Sequence, residues 1–242
     1  MNAEYNSLAG EAYSVVRQRI MRGELPIGQV ISRRKIANEL GMSFLPVSEA
    51  LLKLEFEGLL ESRPRAGTRV RIPTRQDVKG NYVIREALEV HAARVFSEVA
   101  TEDERNELLK LAARIDAVAS QKASNRFLYP TLHAKLHRRI AECTRCPGLP
   151  EAIERTHALA AAWLYVGDPP QNRSEKRLNR HFKLMQVLTG DKPEVAAQAM
   201  REHLTGSLQK TLDRLEPFFR LRKVQGGVYS RSGKPLQLAV PA

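Results

Sequence analysis

The fold is decided by the stretch SRRKIANELGMSFLPVSEALLKLEFEG, residues 32–58. Ser32 and Ser43 each precede a segment of helical apolar periodicity, and a serine in that place caps the free N–H groups of a helix start. Gly41 separates the two segments, because glycine readily adopts the left-handed conformation that ends a helix. Two helices joined by so short a turn predict a helix-turn-helix unit.

The neighbouring residues extend this unit on both sides. Ser7 is expected to cap an earlier helix that ends at Gly23, and the residues from there to Gly28 are expected to form a loop. After Gly58, two short strands are predicted at residues 59–63 and 68–72, joined by a turn. Three helices followed by a hairpin predict a winged helix-turn-helix over residues 1–73.

The following part of the chain has helical periodicity up to residue 215. Thr74 and Thr101 begin capping boxes, and connections rich in Gly, Pro and Asp separate the later segments. The predicted helices span about residues 74–99, 101–120, 125–143, 149–165, 174–189 and 193–215. These helices predict an antiparallel six-helix bundle over residues 74–216, followed by a basic tail over residues 217–242, in a mostly α fold.

Composition and charge restrict the class of protein. The chain has 39 Lys and Arg against 27 Asp and Glu, a net charge of +12, which favours a polyanion such as nucleic acid, although a solvated basic surface explains the same count. No apolar run approaches about 18 residues, so no membrane span is predicted. Cys143 and Cys146 are too few for a disulfide framework and fit the reducing cytoplasm, and without a second pair their spacing favours a structural role.

The residues expected to face DNA lie at two helix starts and at the hairpin. The second helix of the unit would place its first residues in the major groove, while basic residues before it would grip phosphates. Alternatively, a winged helix mediates protein contacts, and its basic residues are merely solvated. The predicted DNA-binding residues are Arg33, Arg34, Lys35, Ser43, Phe44, Leu45, Ser48, Arg65, Gly67, Thr68 and Arg69.

All six histidines of the chain lie outside the predicted winged helix. His133 and His137 are four residues apart on one predicted helix, so both face the same side and can share a metal ion. His181 and His203 lie in later helices of apolar periodicity. Histidines at such spacing are also often exposed or hydrogen-bonded without any metal, so both interpretations stay open.

The sequence resembles a known family of bacterial transcription regulators, the GntR family. The helical remainder is similar to the FadR-type C-terminal (FCD) domain, and six helices suggest the VanR-like subgroup. The resemblance covers about residues 8–215. It implies a cytoplasmic, non-enzymatic homodimer that binds double-stranded operator DNA of two-fold symmetry and senses a small carboxylate effector. The segments that carry the winged-helix resemblance are Ile20–Gly28, Ile36–Ser43, Pro46–Val47, Glu49–Leu51, Leu54, Glu57–Leu60 and Gly67–Val70.

The start of the predicted recognition helix departs from the family pattern. The family usually has Ser-Arg-Thr-Pro-Val-Arg-Glu-Ala-Leu, whereas Phe44 and Ser48 replace the two arginines in this chain. Bidentate readout of guanine by arginine is therefore not available from this helix start. Phe44 and Leu45 are expected either to contact thymine methyl groups or to pack against a protein.

The resemblance also implies a metal site. Metal-binding members carry Asp-x-x-x-His on one helix and two later histidines 22 residues apart, which His137, His181 and His203 match. His133 stands where the aspartate is expected; if it turns away, three ligands remain. A ligand set of His133, His137, His181 and His203 consists of neutral imidazoles, which favour Zn²⁺, or Ni²⁺, over Mg²⁺ or Ca²⁺.

Individual roles are also predicted for Arg85, His91 and His157. Arg85 matches a family position near the effector pocket, and is expected to bind the effector or to pair with Glu89. His91 and His157 match no ligand position, and surface or core roles are expected for them.

Two other functions remain open. A metal hydrolase would use a free coordination position to activate water, but no acidic residue adjoins His133 and His137 as a general base, and Glu142 lies further along. A metal-binding interaction module with a degenerate winged helix that no longer reads DNA is supported by Phe44 and Ser48.

Overall fold

The computed structural model describes residues 7–63, 67–121, 128–164 and 179–225, with side chains up to Arg220. The described residues are mostly helical and include one small sheet, which confirms the predicted fold class. None of the described helices combines the length and the apolar composition that a membrane crossing requires. The elements are α1 Leu8–Met21, β1 Val30–Ile31, α2 Arg33–Leu40, α3 Phe44–Phe56, β2 Leu60–Arg63, β3 Gly67–Val70, α4 Arg75–Val99, α5 Glu102–Ser120, α6 Leu128–Glu142, α7 Leu149–Leu164, α8 Arg180–Leu188 and α9 Pro193–Gln225.

The described chain separates into two compact units. The first unit contains the residues up to Arg75, the end of α7 from Ala162 onward and the end of α9 from Leu212 onward. The second contains Gln76–Ala161 and the residues of α8 and α9 up to Thr211. The domain boundaries expected after residues 73 and 216 stay predictions.

The helix-turn-helix of the first unit forms where its caps were expected. The hydroxyl of Ser32 accepts a hydrogen bond from the backbone N–H of Lys35 at 3.2 Å, and Gly41 ends α2 with a left-handed φ of 62°. Ser43 precedes α3 without making a side-chain cap. Val47 and Leu54 on the inner face of α3 are fully buried, and this apolar face holds the helix in the unit.

The sheet has three antiparallel strands in the order β1-β3-β2, whereas the sequence predicted only the β2–β3 hairpin. Val30 pairs with Arg69, and Leu60 pairs with Val70. The extra strand β1 has two residues, too few for a period-two pattern to be visible in the sequence. The predicted turn residue Arg65 lies outside the described residues.

Hydrogen bonds connect the hairpin to both helices of the helix-turn-helix. Arg33 of α2 donates to the hydroxyl of Thr68 at 3.3 Å, and that hydroxyl lies 3.0 Å from the hydroxyl of Ser62. Ser62 in turn donates to the carboxylate of Glu55 on α3, through both its backbone N–H and its hydroxyl, at 2.8 Å each. This polar relay joins α2, β3, β2 and α3.

The second unit is built around one apolar core. The capping box that opens α5 is complete, with Thr101 accepting from the N–H of Glu104 and Glu104 accepting from the N–H of Thr101. The largest fully buried apolar side chains of this core are Phe96, Leu108, Ile115, Leu136, Ile140, Ile153, Met185 and Leu188.

Helix α9 is longer than the sequence predicted. It was expected to end near residue 215, but it continues past Pro217 to Gln225, so residues 217–225 of the expected tail are helical. Proline removes one helix hydrogen bond, and the burial of Leu215 and Phe219 on either side offsets that loss. The rest of the expected tail, residues 226–242, lies outside the described residues.

Candidate metal centre

Five imidazoles from four helices converge inside the second unit. Helix α6 supplies His133 and His137, α7 supplies His157, α8 supplies His181 and the first part of α9 supplies His203. The ring centre of His133 lies 4.5 Å from that of His137 and 5.1 Å from that of His181. The His203 ring centre lies 5.9 Å from that of His133 and 5.4 Å from that of His181. The four predicted ligands are thus brought together.

The ligand nitrogens of His133, His181 and His203 all lie within 4.8 Å of one another. Nε2 of His203 is buried and has no hydrogen-bond partner among the described residues. A buried nitrogen without a partner is costly, and a metal ion would satisfy it. Nε2 of His137 lies 3.3 Å from Nε2 of His133, which is about the separation of two nitrogens that share a tetrahedral Zn²⁺. These residues therefore fit a metal ion of the Zn²⁺ type.

A second group of possible ligands, Glu89, His137 and His157, adjoins the first. One Glu89 oxygen lies 2.5 Å from Nδ1 of His137, and the other lies 3.2 Å from Nε2 of His157. Arg85 already lies against this group, with its Nε 2.6 Å from Glu89 and its Nη2 3.1 Å from His157. The guanidinium therefore takes the place of a cation next to Glu89, which makes this second group a less favourable position for a metal ion than the first.

The pair formed by Arg85 and Glu89 is buried, with 2% and 1% of the side chains exposed. Burial opposes the charge of Glu89, but Arg85, His157 and His137 hold its pKa well below the usual value. Burial also opposes the charge of Arg85, and the neighbouring Glu89 raises its pKa. Burial, reinforced by Arg85, lowers the pKa of His157 to about 3, so this imidazole is neutral and can accept from the guanidinium.

Burial also favours the neutral form of His133, His181 and His203, which is the form that metal binding requires. Burial, reinforced by neighbouring imidazoles, lowers the pKa of His133 and of His203 well below the ordinary histidine value. Burial also lowers the pKa of His181, against the opposing effect of the Asp116 carboxylate.

Asp116 on α5 orients His181. Its Oδ1 lies 2.7 Å from Nδ1 of His181, and its Oδ2 accepts from the backbone N–H groups of His181 and Phe182 at 3.0 and 2.9 Å. This leaves Nε2 of His181 facing the other imidazoles, with the hydroxyl of Tyr129 3.5 Å away. Glu89 also lies against Nδ1 of a histidine, His137, and a carboxylate at that nitrogen orients imidazole ligands in many metal sites.

Helices α8 and α9 are joined beside His181 and His203. Arg180 donates to the backbone carbonyl of His203 at 2.8 Å, and the guanidinium passes so close to Gly206 that an added Cβ would lie 3.2 Å from it. The chain positions of His181 and His203 are thereby tied to each other.

Sequence reasoning missed Glu89, Asp116 and His157 as members of this site, and expected a core or surface role for His157. The sequence feature that could have identified them is a charged or polar residue on the apolar face of a helix. Asp116, next to the fully buried Ile115, is an example. His91 is exposed on α4. Of the two roles expected for Arg85, the ion pair with Glu89 is present.

The residues predicted to bind DNA lie in the first unit and differ in exposure. Thr68 is buried and supports Arg33, while Arg69 pairs with Glu61 at 2.6 Å. Arg33, Ser48 and Arg69 are half-buried, and Arg65 lies outside the described residues. The exposed members of the set are Arg34, Lys35, Ser43, Phe44, Leu45 and Gly67.

Comparisons with known families and proteins agree with this two-part organisation. Residues 8–70 match the family described as "Bacterial regulatory proteins, gntR family", and residues 81–206 match the FCD domain. The chain is 28% identical over 211 residues to the "Probable D-xylose utilization operon transcriptional repressor" of Paenarthrobacter nicotinovorans, covering 85% of this chain and 89% of that protein. It is 23% identical over 194 residues to the transcriptional repressor RspR of Escherichia coli K12, covering 80% and 84%.

Two solved structures have a similar fold. A GntR-type transcriptional regulator from Rhodococcus sp. RHA1 gives a TM-score of 0.71 at 21% identity, over 85% of this chain and 97% of that chain. McbR/YncC of E. coli gives a TM-score of 0.67 at 21% identity, over 87% and 98%.

Glu89→Gln should destabilise the metal-free protein by about 3–5 kcal/mol, because it leaves the charge of Arg85 buried without its partner. The double variant Arg85→Met, Glu89→Gln should recover much of that loss. The free energy of unfolding in urea, followed by circular dichroism, measures both. The exposed pair Arg94–Glu98 on the same helix is the control, and Glu98→Gln should cost less than about 0.5 kcal/mol. Equal losses in the single and double variants would contradict the assigned role of the pair.

The stability of the metal-free protein should fall as the pH is lowered from 7 to 5. The lowered pKa values keep His133, His157, His181 and His203 unprotonated when folded, whereas the unfolded chain takes up protons below its ordinary histidine pKa near 6.5. Protons therefore favour unfolding, by up to about 1.4 kcal/mol per pH unit for each such histidine. Unfolding in urea with a chelator present tests this, and His203→Gln should reduce the slope. A profile that is flat from pH 7 to 5 would refute it.

Proposed function

This chain belongs to the gntR family of bacterial regulatory proteins and carries an FCD domain, so it is a transcription regulator, and from that premise we propose that it is a metal-dependent repressor controlled by a small carboxylate. In this proposal a homodimer binds two-fold operator DNA. The observation that carries it is the convergence of the imidazoles of His133, His137, His181 and His203, among which the buried Nε2 of His203 has no hydrogen-bond partner in the described part of the chain.

The metal ligands in this proposal are His133, His181 and His203, with His137 completing the set through the nitrogen next to His133. Nitrogen ligands favour Zn²⁺, or Ni²⁺, over oxygen-seeking cations. Imidazole ligands carry no negative charge, so they would leave the full positive charge of a bound ion in place. That charge would attract an anion.

The effector site in this proposal adjoins the imidazoles. Arg85 has five N–H donors, and those directed at Glu89 and His157 leave it able to donate to a carboxylate as well. Glu89 already balances the charge of Arg85, so the effector's own charge would be balanced mainly at the metal position.

Repression is proposed because two relatives, the xylose-operon repressor and RspR, are repressors. A dimer with two recognition helices fits operator half-sites about one DNA turn apart. An effector that alters their separation changes DNA affinity, typically by about 1–3 kcal/mol.

A hydrolytic function is less well supported by this site. Two carboxylates contact the imidazoles, Glu89 through His137 and Asp116 through His181. Burial opposes both charges, but the pairing with Arg85 lowers the pKa of Glu89. Hydrogen bonds from His181 and Phe182 likewise lower the pKa of Asp116, so both carboxylates are poor bases. A protein-interaction module is the second candidate, and the exposed Phe44 and Leu45 are the observation that favours it.

The metal-free protein should bind one Zn²⁺ per chain in a calorimetric titration. His203→Ala should weaken that binding at least about 100-fold, because it removes a ligand rather than an outer partner. The exposed His91 is the matched control, and His91→Ala should leave the affinity unchanged. Two ions per chain would show that the group around Glu89 also binds metal, and no binding would contradict metal dependence.

Binding to DNA from around the gene should depend steeply on salt, as expected for phosphate contacts. Arg34→Ala and Lys35→Ala should each weaken binding and reduce the slope of log K against log salt by about one. A mobility-shift titration over several salt concentrations measures the slope. Lys110→Ala, which removes an exposed charge from the other unit, is the control. Unchanged slopes in Arg34→Ala and Lys35→Ala would show that these residues do not contact DNA phosphates.

A further inference from the structure

We infer that α3 selects its operator mainly by apolar contact of Phe44 and Leu45 with thymine methyl groups. The inference rests on the proposed DNA-binding function and specifies the chemistry that the same surface recognises.

Phe44 and Leu45 are the first two residues of α3, at the end that approaches base edges in a helix-turn-helix. Their side chains are 57% and 67% exposed. The packing of α3 depends on other residues, since Val47, Ala50, Leu51 and Leu54 form its buried face. The two exposed side chains are therefore available for a contact that the fold does not require.

Three of the polar side chains near this end of α3 have partners within the protein, namely Ser48, Arg33 and Arg69. The hydroxyl of Ser48 donates to the backbone carbonyl of Phe44 at 2.9 Å. Arg33 donates to Thr68, and Arg69 donates to Glu61 at 2.7 Å. Arg33 and Arg69 are thus engaged within the protein, and the side chains of the two residues that begin α3 offer only apolar contact to a base.

Thymine alone presents an apolar group in the major groove, its C5 methyl. Phenylalanine and leucine side chains neither donate nor accept hydrogen bonds, so burying a methyl group is the sequence-dependent contact they can make. The neighbouring charge favours DNA over an apolar protein partner: the first turn of α3 has no acidic residue, and Arg34 and Lys35 are exposed at the start of α2.

The test compares duplexes that contain thymidine with duplexes that contain deoxyuridine, whose base lacks only the C5 methyl group. Duplexes are selected from a random pool with the full chain, and the selected duplexes are prepared again with deoxyuridine in place of thymidine. We expect affinity to fall about fourfold for each methyl group that is contacted, the factor for exposing one CH₂-sized group to water. Phe44→Ala and Leu45→Ala should bind the thymine duplex more weakly and lose most of the discrimination.

Phe56→Ala is the matched control, because Phe56 is 92% exposed at the other end of the same helix and should leave the discrimination intact. Discrimination that persists in Phe44→Ala and Leu45→Ala would come from DNA shape and would overturn the inference. Equal affinities for the two duplexes, with normal salt dependence, would also overturn it while leaving the DNA-binding function in place. No salt-dependent binding to any duplex would overturn both, and would point to a protein partner for Phe44 and Leu45.

Discussion

The chemistry of the second unit depends on the buried ion pair between Arg85 and Glu89. The guanidinium keeps Glu89 ionised despite complete burial, and an ionised Glu89 contacts His137 at Nδ1 and His157 at Nε2. With Nδ1 engaged, His137 directs its other nitrogen toward His133. With a neutral residue in place of Glu89, the orientation of the His137 imidazole would no longer be determined. The convergence of the four rings would then no longer be determined either.

Burying five imidazoles costs free energy unless their nitrogens find partners. Asp116 accepts a hydrogen bond from His181 and the Glu89 carboxylate lies 2.5 Å from His137, while the buried Nε2 of His203 has no partner among the described residues. An ion that binds there would contribute its binding free energy to folding, so metal occupancy and the stability of this unit are expected to be linked. The rings come from four helices, and such a link would involve most of the unit.

The sequence was most informative where local chemistry determines local structure. Ser32, Gly41 and Thr101 mark helix ends in the sequence and do so in the structure. Spacing also placed His133 and His137 on one face of a helix, but spacing cannot tell which helices meet. Glu89, Asp116 and His157 were missed for that reason, because their roles arise only from long-range packing. Strand β1 and the end of α9 likewise depend on tertiary partners, through pairing with β3 and through the burial of Phe219.

The polar relay from Arg33 through Thr68 and Ser62 to Glu55 has a kinetic consequence. It joins β2, β3 and both helices of the helix-turn-helix by hydrogen bonds in the absence of any ligand. Little conformational entropy is then lost on docking, and no slow rearrangement needs to precede it. Encounter with a duplex would accordingly be limited by diffusion and long-range attraction, and differences in residence time would come from dissociation.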